Sequence, residues 1–254
     1  MRIPARLVLA FSLSLGIVLP LAAQQKTLRV VATNTWTAAL ASAAGATTIV
    51  TLAPSDLRHP AEYDLKPSDV TALQGADLVV YTGFEVMARK VADAAGSQKI
   101  RLLQVDADYS LKTLRASITA IAAVLGTSDI AKKNIAVLET FMTSWKDELR
   151  TAKVFGAPVL VHAFQQPLIA ELGFTIKGVF GPAPLEASEI TKLSRESVRM
   201  IVDNWHNEVA QPLTETVKGA TLASLINFPG VNGTVSLLDV LIEDRARLKA
   251  AAGY

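Results

Sequence analysis

The sequence predicts an α/β chain of two Rossmann-like lobes, each a parallel sheet with flanking helices, joined by one long helix. Three observations carry this. Half of the 254 residues are hydrophobic and only 6% are aromatic, so Ala, Leu, Val and Ile supply the apolar content, as suits strands packed under helices. Short apolar runs of strand length alternate with stretches of helical spacing along the chain. A single long helical stretch, 129–153, separates four such strands from four more.

The first element is not part of either lobe. Arg2 and Arg6 precede an apolar run from Leu7 to Leu21, and Ala22-Ala23 follow it. A short basic region, an apolar region and small residues at a cleavage point describe a secretory signal peptide over 1–23. The run falls short of the ~20 residues that span a bilayer. The chain then divides into an N-terminal lobe over 24–128, the connecting helix over 129–153, and a C-terminal lobe over 154–254. A periplasmic chain without a lipid anchor is expected, because no cysteine follows the apolar run.

Within the first lobe, strands are predicted at 28–33, 47–52, 77–81 and 101–105. Helices are predicted at 36–44, 70–73, 85–95 and 111–125, and Ser68 and Asp69 stand where a helix cap belongs. Thr127, Ser128 and Asp129 start the long helix, whose stripe comprises Ile130, Ile135, Val137, Leu138, Phe141, Met142, Trp145 and Leu149. The second lobe repeats the pattern with strands at 157–161, 174–180, 198–202 and 221–226 and a last helix at 235–251.

Charge and composition exclude several classes. The chain has 25 Lys+Arg against 23 Asp+Glu, and two of the basic residues lie in the signal segment. Nucleic acid is therefore not an expected partner. The absence of cysteine removes disulfides, thiolate metal sites and cysteine nucleophiles. No nucleotide-binding glycine motif, nucleophile elbow or His-Glu-x-x-His helix is present. An Asp106-x-Asp108 pair is too weak a signal for acid–base catalysis, and a non-enzyme is expected.

Ligand chemistry must then come from strand ends, since open α/β sheets bind ligands beyond the carboxyl ends of their strands. All three histidines of the chain stand there. His59 lies in the loop after the second strand, His162 follows Val159-Leu160-Val161, and His206 is expected to begin a helix after the strand at 198–202. Imidazole is the commonest metal ligand, and three of them with an open or carboxylate fourth position suit zinc. Glu62 and Asp64, in the same loop as His59, or Asp106 and Asp108 at another strand end, could complete such a site. Trp36, Tyr63, Phe164 and Trp205 could instead line a pocket for a different small ligand. Gln165 and Gln166 could contribute hydrogen bonds to a polar ligand, but the first expectation is a pair of exposed residues at a helix start.

The block Arg58-His-Pro-Ala-Glu-Tyr-Asp-Leu-Lys-Pro-Ser-Asp69, then Tyr81-Thr-Gly83-Phe-Glu85, then Val159-Leu-Val-His162, then Phe228-Pro-Gly-Val-Asn-Gly-Thr-Val-Ser-Leu-Leu-Asp239, resembles the zinc/manganese class of ABC-transporter substrate-binding proteins. The resemblance implies two lobes on a long rigid helix, a metal ion in the cleft, delivery to an ABC permease in the inner membrane, and a monomeric chain. It also exposes departures. Aligned on Pro67-Ser68-Asp69, the family's first histidine ligand falls on Ala61. Its second has no counterpart in Val105–Ser110, its third matches His162, and its final aspartate falls on Val235. Two expectations follow. Either a divalent ion, zinc first, is held by His162, His59 and His206, or the metal clamp is lost and the cleft serves another small ligand or a protein partner.

Overall fold

The computed structural model describes residues 27–96 and 100–254; the signal-peptide reading falls outside them. Strands β1 (Arg29–Ala32), β2 (Thr48–Thr51), β3 (Leu78–Tyr81) and β4 (Arg101–Gln104) form one parallel sheet in the order β2-β1-β3-β4. Strands β5 (Pro158–His162), β6 (Thr175–Phe180), β7 (Met200–Asn204) and β8 (Thr221–Leu225) form a second parallel sheet in the order β6-β5-β7-β8. The two lobes are thus wired identically, and each sheet reverses its winding between its first and third strands.

The central strands β1, β3, β5 and β7 are mostly apolar on both faces because both faces are covered. Val30 and Leu78 and Val80 point into a core shared with the long helix, while Val31 and Val79 between them point into a second cluster with Leu73, Met87 and Val91. In the other lobe Val159, Val161, Met200 and Val202 face the shared core, and Leu160 and Ile201 face Phe180, Leu193 and Leu213. Each such side chain contributes about 1.5–3 kcal/mol by burial.

Helices α1 (Thr35–Ala43), α4 (Leu111–Leu125), α5 (Ser128–Thr151) and α9 (Leu237–Ala252) supply the rest of the shared core. The buried residues of α5 are Ala131, Ile135, Leu138, Met142, Trp145 and Leu149, alternating three and four apart as a one-sided helix requires. Ile130 and Val137, expected on that stripe, fall off it and are about half exposed. Shorter helices α2 (Pro67–Leu73), α3 (Ala88–Gly96), α6 (Gln166–Glu171), α7 (Ala187–Leu193) and α8 (Gln211–Thr216) cover the outer faces and sheet ends. None of the described helices is long and apolar enough to cross a membrane.

Two local expectations are corrected. The helix expected from Glu85 starts at Ala88, because the Glu85 carboxylate is buried and accepts from Thr33 Oγ1, Asn34 Nδ2 and the backbone N–H groups of Thr82 and Gly83. His206, expected to start a helix, instead sits in a turn after β7, with α8 beginning only at Gln211. There Asp203 accepts from the backbone N–H groups of Asn204, Val209 and Ala210, tying 204–210 into a compact loop.

Candidate functional site between the lobes

A cavity of ≈ 490 Å³ lies where the carboxyl ends of the two sheets face each other. Every one of the eight strands contributes to its wall through the segment that follows it. From the first lobe come Trp36 after β1, His59 to Glu62 after β2, Phe84 after β3, and Ala107 and Asp108 after β4. From the second come Ala163, Phe164 and Pro167 after β5, Pro182 after β6, Asn204, His206 and Asn207 at the end of β7, and Asn227 and Phe228 after β8.

The floor crosses from lobe to lobe. Trp36 stacks on Tyr109 at 5.1 Å and meets Phe228 edge-on at 5.4 Å, and the Tyr109 hydroxyl donates to the Asn227 carbonyl at 2.9 Å. At the mouth, Arg58 pairs with Glu208 across the gap at 2.5 Å and lies 5.0 Å over the Trp205 ring. Gly230 adopts φ +131°, and a Cβ there would stand 2.2 Å from the Ser55 carbonyl oxygen of the other lobe, so only glycine permits this approach.

The three histidines end in different settings. His59 is exposed on a loop that reaches the wall. His162 is fully buried as the last residue of β5, behind the wall rather than on it, against Phe164 and Phe180. Gly181, with φ +70°, makes room for it, since a Cβ would stand 2.7 Å from its Nε2. His206 is almost fully buried between Trp205 and Phe228 and does reach the wall.

The hydrogen bonds of the two buried rings fix their protons. The Phe164 backbone N–H donates to His162 Nδ1 at 3.0 Å, and the Asn227 backbone N–H donates to His206 Nδ1 at 3.3 Å. A neutral imidazole that accepts at Nδ1 carries its proton on Nε2. His162 therefore donates from Nε2 to Asn207 Oδ1, 2.9 Å away. Burial lowers the pKa of both rings; for His206, with His59, Arg247 and Arg58 adding repulsion, it falls to about 3. Metal-bound histidines show the opposite wiring: one nitrogen lone pair goes to the ion and the other nitrogen donates its N–H outward.

The acidic candidates divide as well. Glu62 and Asp108 reach the wall, but the Asp108 carboxylate already accepts from Ser110 N and Thr113 Oγ1 at the start of α4. Asp64 is exposed and paired with Lys90. Asp106 is not on the wall; its carbonyl accepts from Ser117 Oγ. Of the positions marked by the resemblance, Ala61 lines the cavity and Val235 is 77% exposed outside it. Among the described residues, no group of three or more histidines and carboxylates is gathered closely enough to hold a metal ion.

Of the aromatic candidates, Trp36 and Phe164 line the cavity and Tyr63 and Trp205 do not; Phe84 and Phe228 were missed. Gln165 is corrected from exposed to fully buried, because it turns inward to donate to Asn227 Oδ1 at 2.6 Å.

Two α/β lobes of identical strand order, meeting at a cleft built from the carboxyl ends of both sheets, have the architecture of a two-lobe substrate-binding protein. In sequence, residues 30–121 match the family described as the periplasmic zinc-uptake complex component A, ZnuA. No curated protein matches. In fold, the chain is similar to the laminin-binding protein Lbp of Streptococcus pyogenes, with a TM-score of 0.68 at 16% identity, over 89% of this chain and 99% of that one. It is similar to the substrate-binding protein FpvC of P. aeruginosa, solved in complex with Ni2+, with a TM-score of 0.71 at 17% identity, over 90% and 96%. It is similar also to the metal-dependent lipoprotein YcdH of Bacillus subtilis, with a TM-score of 0.62 at 18% identity, over 88% and 98%. The resemblance read from the Pro67-Ser68-Asp69 block thus stands as a likeness: the chain is similar to this class in sequence over residues 30–121 and in fold over nearly all of its length.

Proposed function

We propose that this chain is the periplasmic substrate-binding component of an ABC transport system, which holds its cargo between the lobes and passes it to a membrane permease. The observation that carries the reading is the interlobe cavity fed by the segments after all eight strands, the place where sheets of this winding bind ligands.

The family likeness supports a divalent metal ion as cargo, zinc first. His59, His206, Glu62 and Asp108 are the histidines and carboxylates on the wall, and His162 stands behind it. For this set to close on an ion, His206 has to exchange the Asn227 N–H at Nδ1 for an acceptor and so free its Nε2 lone pair. The wiring of the buried histidines favours the second reading, in which the clamp has been lost and the cleft takes another small ligand.

Thermal melts of the metal-stripped protein with zinc, manganese and nickel separate the two. Under the metal reading one ion raises Tm by several degrees in a concentration-dependent way. The shift disappears with chelator and is weakened in His59→Ala, a change at an exposed residue. A flat response to every ion removes the metal reading and leaves the other.

A further inference from the structure

We infer that the cleft is built for a small organic cation, an alkylated ammonium on an apolar body, held by carboxylate charge and by aromatic faces from both lobes. The inference rests on reading the chain as a substrate-binding protein and names the class of its cargo.

Charge is the first observation. Basic residues slightly outnumber acidic ones over the whole chain, 25 to 23. Among the described residues that line the cavity, however, none is Lys or Arg, while Glu62 and Asp108 are both present. Glu62 is exposed on its loop, and its carboxylate has no hydrogen-bond or ion-pair partner among the described residues. Asp108 accepts one hydrogen bond on each oxygen, from Ser110 N and Thr113 Oγ1, which leaves lone pairs on both. Arg58 at the mouth is paired with Glu208, so the two charges cancel there.

The spread of the donors is the second. A bare zinc ion needs four donor atoms at about 2.0–2.3 Å, and among the described residues no group of three or more histidines and carboxylates is gathered closely enough to supply them. An alkylated ammonium needs no coordination shell, because carboxylates and ring faces stabilise it at van der Waals distance. A negative wall that does not chelate therefore favours the larger ion. The ≈ 490 Å³ of the cavity lies within the range of sites that enclose a small organic molecule, ~300–1,000 Å³.

The rings are the third. Phe84 of the first lobe and Phe164 of the second both line the cavity, and both are about half exposed, so neither is consumed by the core. Phe164 is braced from behind by His162, with ring centroids 4.9 Å apart. Trp36 and Phe228, almost fully buried and edge-on to each other, make the floor apolar. The face of an aromatic ring is its negative region, which attracts a cation within about 6 Å. An anion would meet these faces and the unpaired Glu62 carboxylate as repulsion.

The test is calorimetric titration of the purified protein with benzyltrimethylammonium and benzenesulfonate, each in the presence of chelator, and with zinc alone. The two organic probes share a ring and differ in the sign of their charge. Glu62→Gln removes a charge and keeps the shape; Phe84→Leu and Phe164→Leu remove a ring and keep apolar bulk. All three changes fall at exposed or half-exposed positions. Ala61→Trp fills the cavity from a partly exposed loop position. We expect benzyltrimethylammonium to bind one-to-one, to outbind benzenesulfonate about tenfold or more, and to be lost in Ala61→Trp. Each of the other three changes should weaken it about two- to fivefold, and the triple variant by about tenfold or more. Equal affinity for the two organic probes overturns the inference, and so does unchanged affinity for the cation in the triple variant. Zinc or benzenesulfonate bound one-to-one and released by Ala61→Trp, with no binding of benzyltrimethylammonium, overturns it too, while leaving the substrate-binding reading in place. If no probe binds, or if Ala61→Trp changes the binding of none, both readings fall.

Discussion

His206 shows how much one residue's chemistry depends on what surrounds it. Buried first of all, and flanked by His59, Arg247 and Arg58, it has a pKa of about 3 in the fold against about 6.5 in an unfolded chain. Between those values the unfolded state binds the extra proton, so stability is fully present above pH ~6.5 and falls as pH drops toward 3. The slope from this group is roughly 1.4 kcal/mol per pH unit. Urea unfolding at pH 7 and pH 5 should show this loss in the wild type and a smaller one in His206→Asn, whose amide oxygen can take the place of Nδ1. Asp244 is a second such residue. Burial raises its pKa well above the usual carboxylate range even though it accepts from the Ile226 backbone N–H. Asp244→Asn, isosteric with the protonated acid, should therefore change stability at pH 7 by less than ~1 kcal/mol, whereas Asp244→Leu, which orphans that N–H, should cost about 1–3 kcal/mol.

At the scale of elements, periodicity was legible. The strands at 77–81, 101–105 and 221–226 and the helix at 111–125 lie within a residue or so of the expected bounds, because two-sided burial of a strand and one-sided burial of a helix each leave a pattern in the chain. Long α5 is the element on which both lobes depend. Trp145 is fully buried in it and donates from Nε1 to the Tyr254 hydroxyl at 3.3 Å. Trp145→Ala should cost about 3–5 kcal/mol in urea unfolding. At the start of α9, Ser236 accepts from Asp239 N and completes a capping box; Ser236→Ala should cost only about 1 kcal/mol. What escaped the pattern were starts decided by side chains from elsewhere, as at Glu85, where Thr33 and Asn34 of another turn draw the carboxylate away from the helix.

At the scale of the whole molecule, the lobes share one continuous core through α4, α5 and α9, so their relation does not rest on the pairs at the cleft mouth. Arg58 and Glu208 join the lobes there, yet both are about half exposed, and a pair so well solvated is worth at most about 1 kcal/mol. Arg58→Ala should leave Tm within about two degrees of the wild type. If Tm fell much further, the mouth and not the shared core would hold the lobes together.

The sequence by itself determined the α/β class, the order of strands and helices, the long central helix, and the candidates that reach the cleft: His59, His206, Glu62, Asp108, Trp36 and Phe164. Those follow from short-range rules, since side-chain periodicity and position after a strand are properties of neighbouring residues. Only the tertiary structure decided which proton each buried histidine carries, that Gln165 turns inward, that Val235 stays outside the wall, and that the acceptors of Asn204, Asn207 and Asn227 are spent within the protein. Each of these depends on partners tens of residues away or on a backbone N–H presented by a particular turn, and no local pattern of residue types encodes the direction in which such a group points.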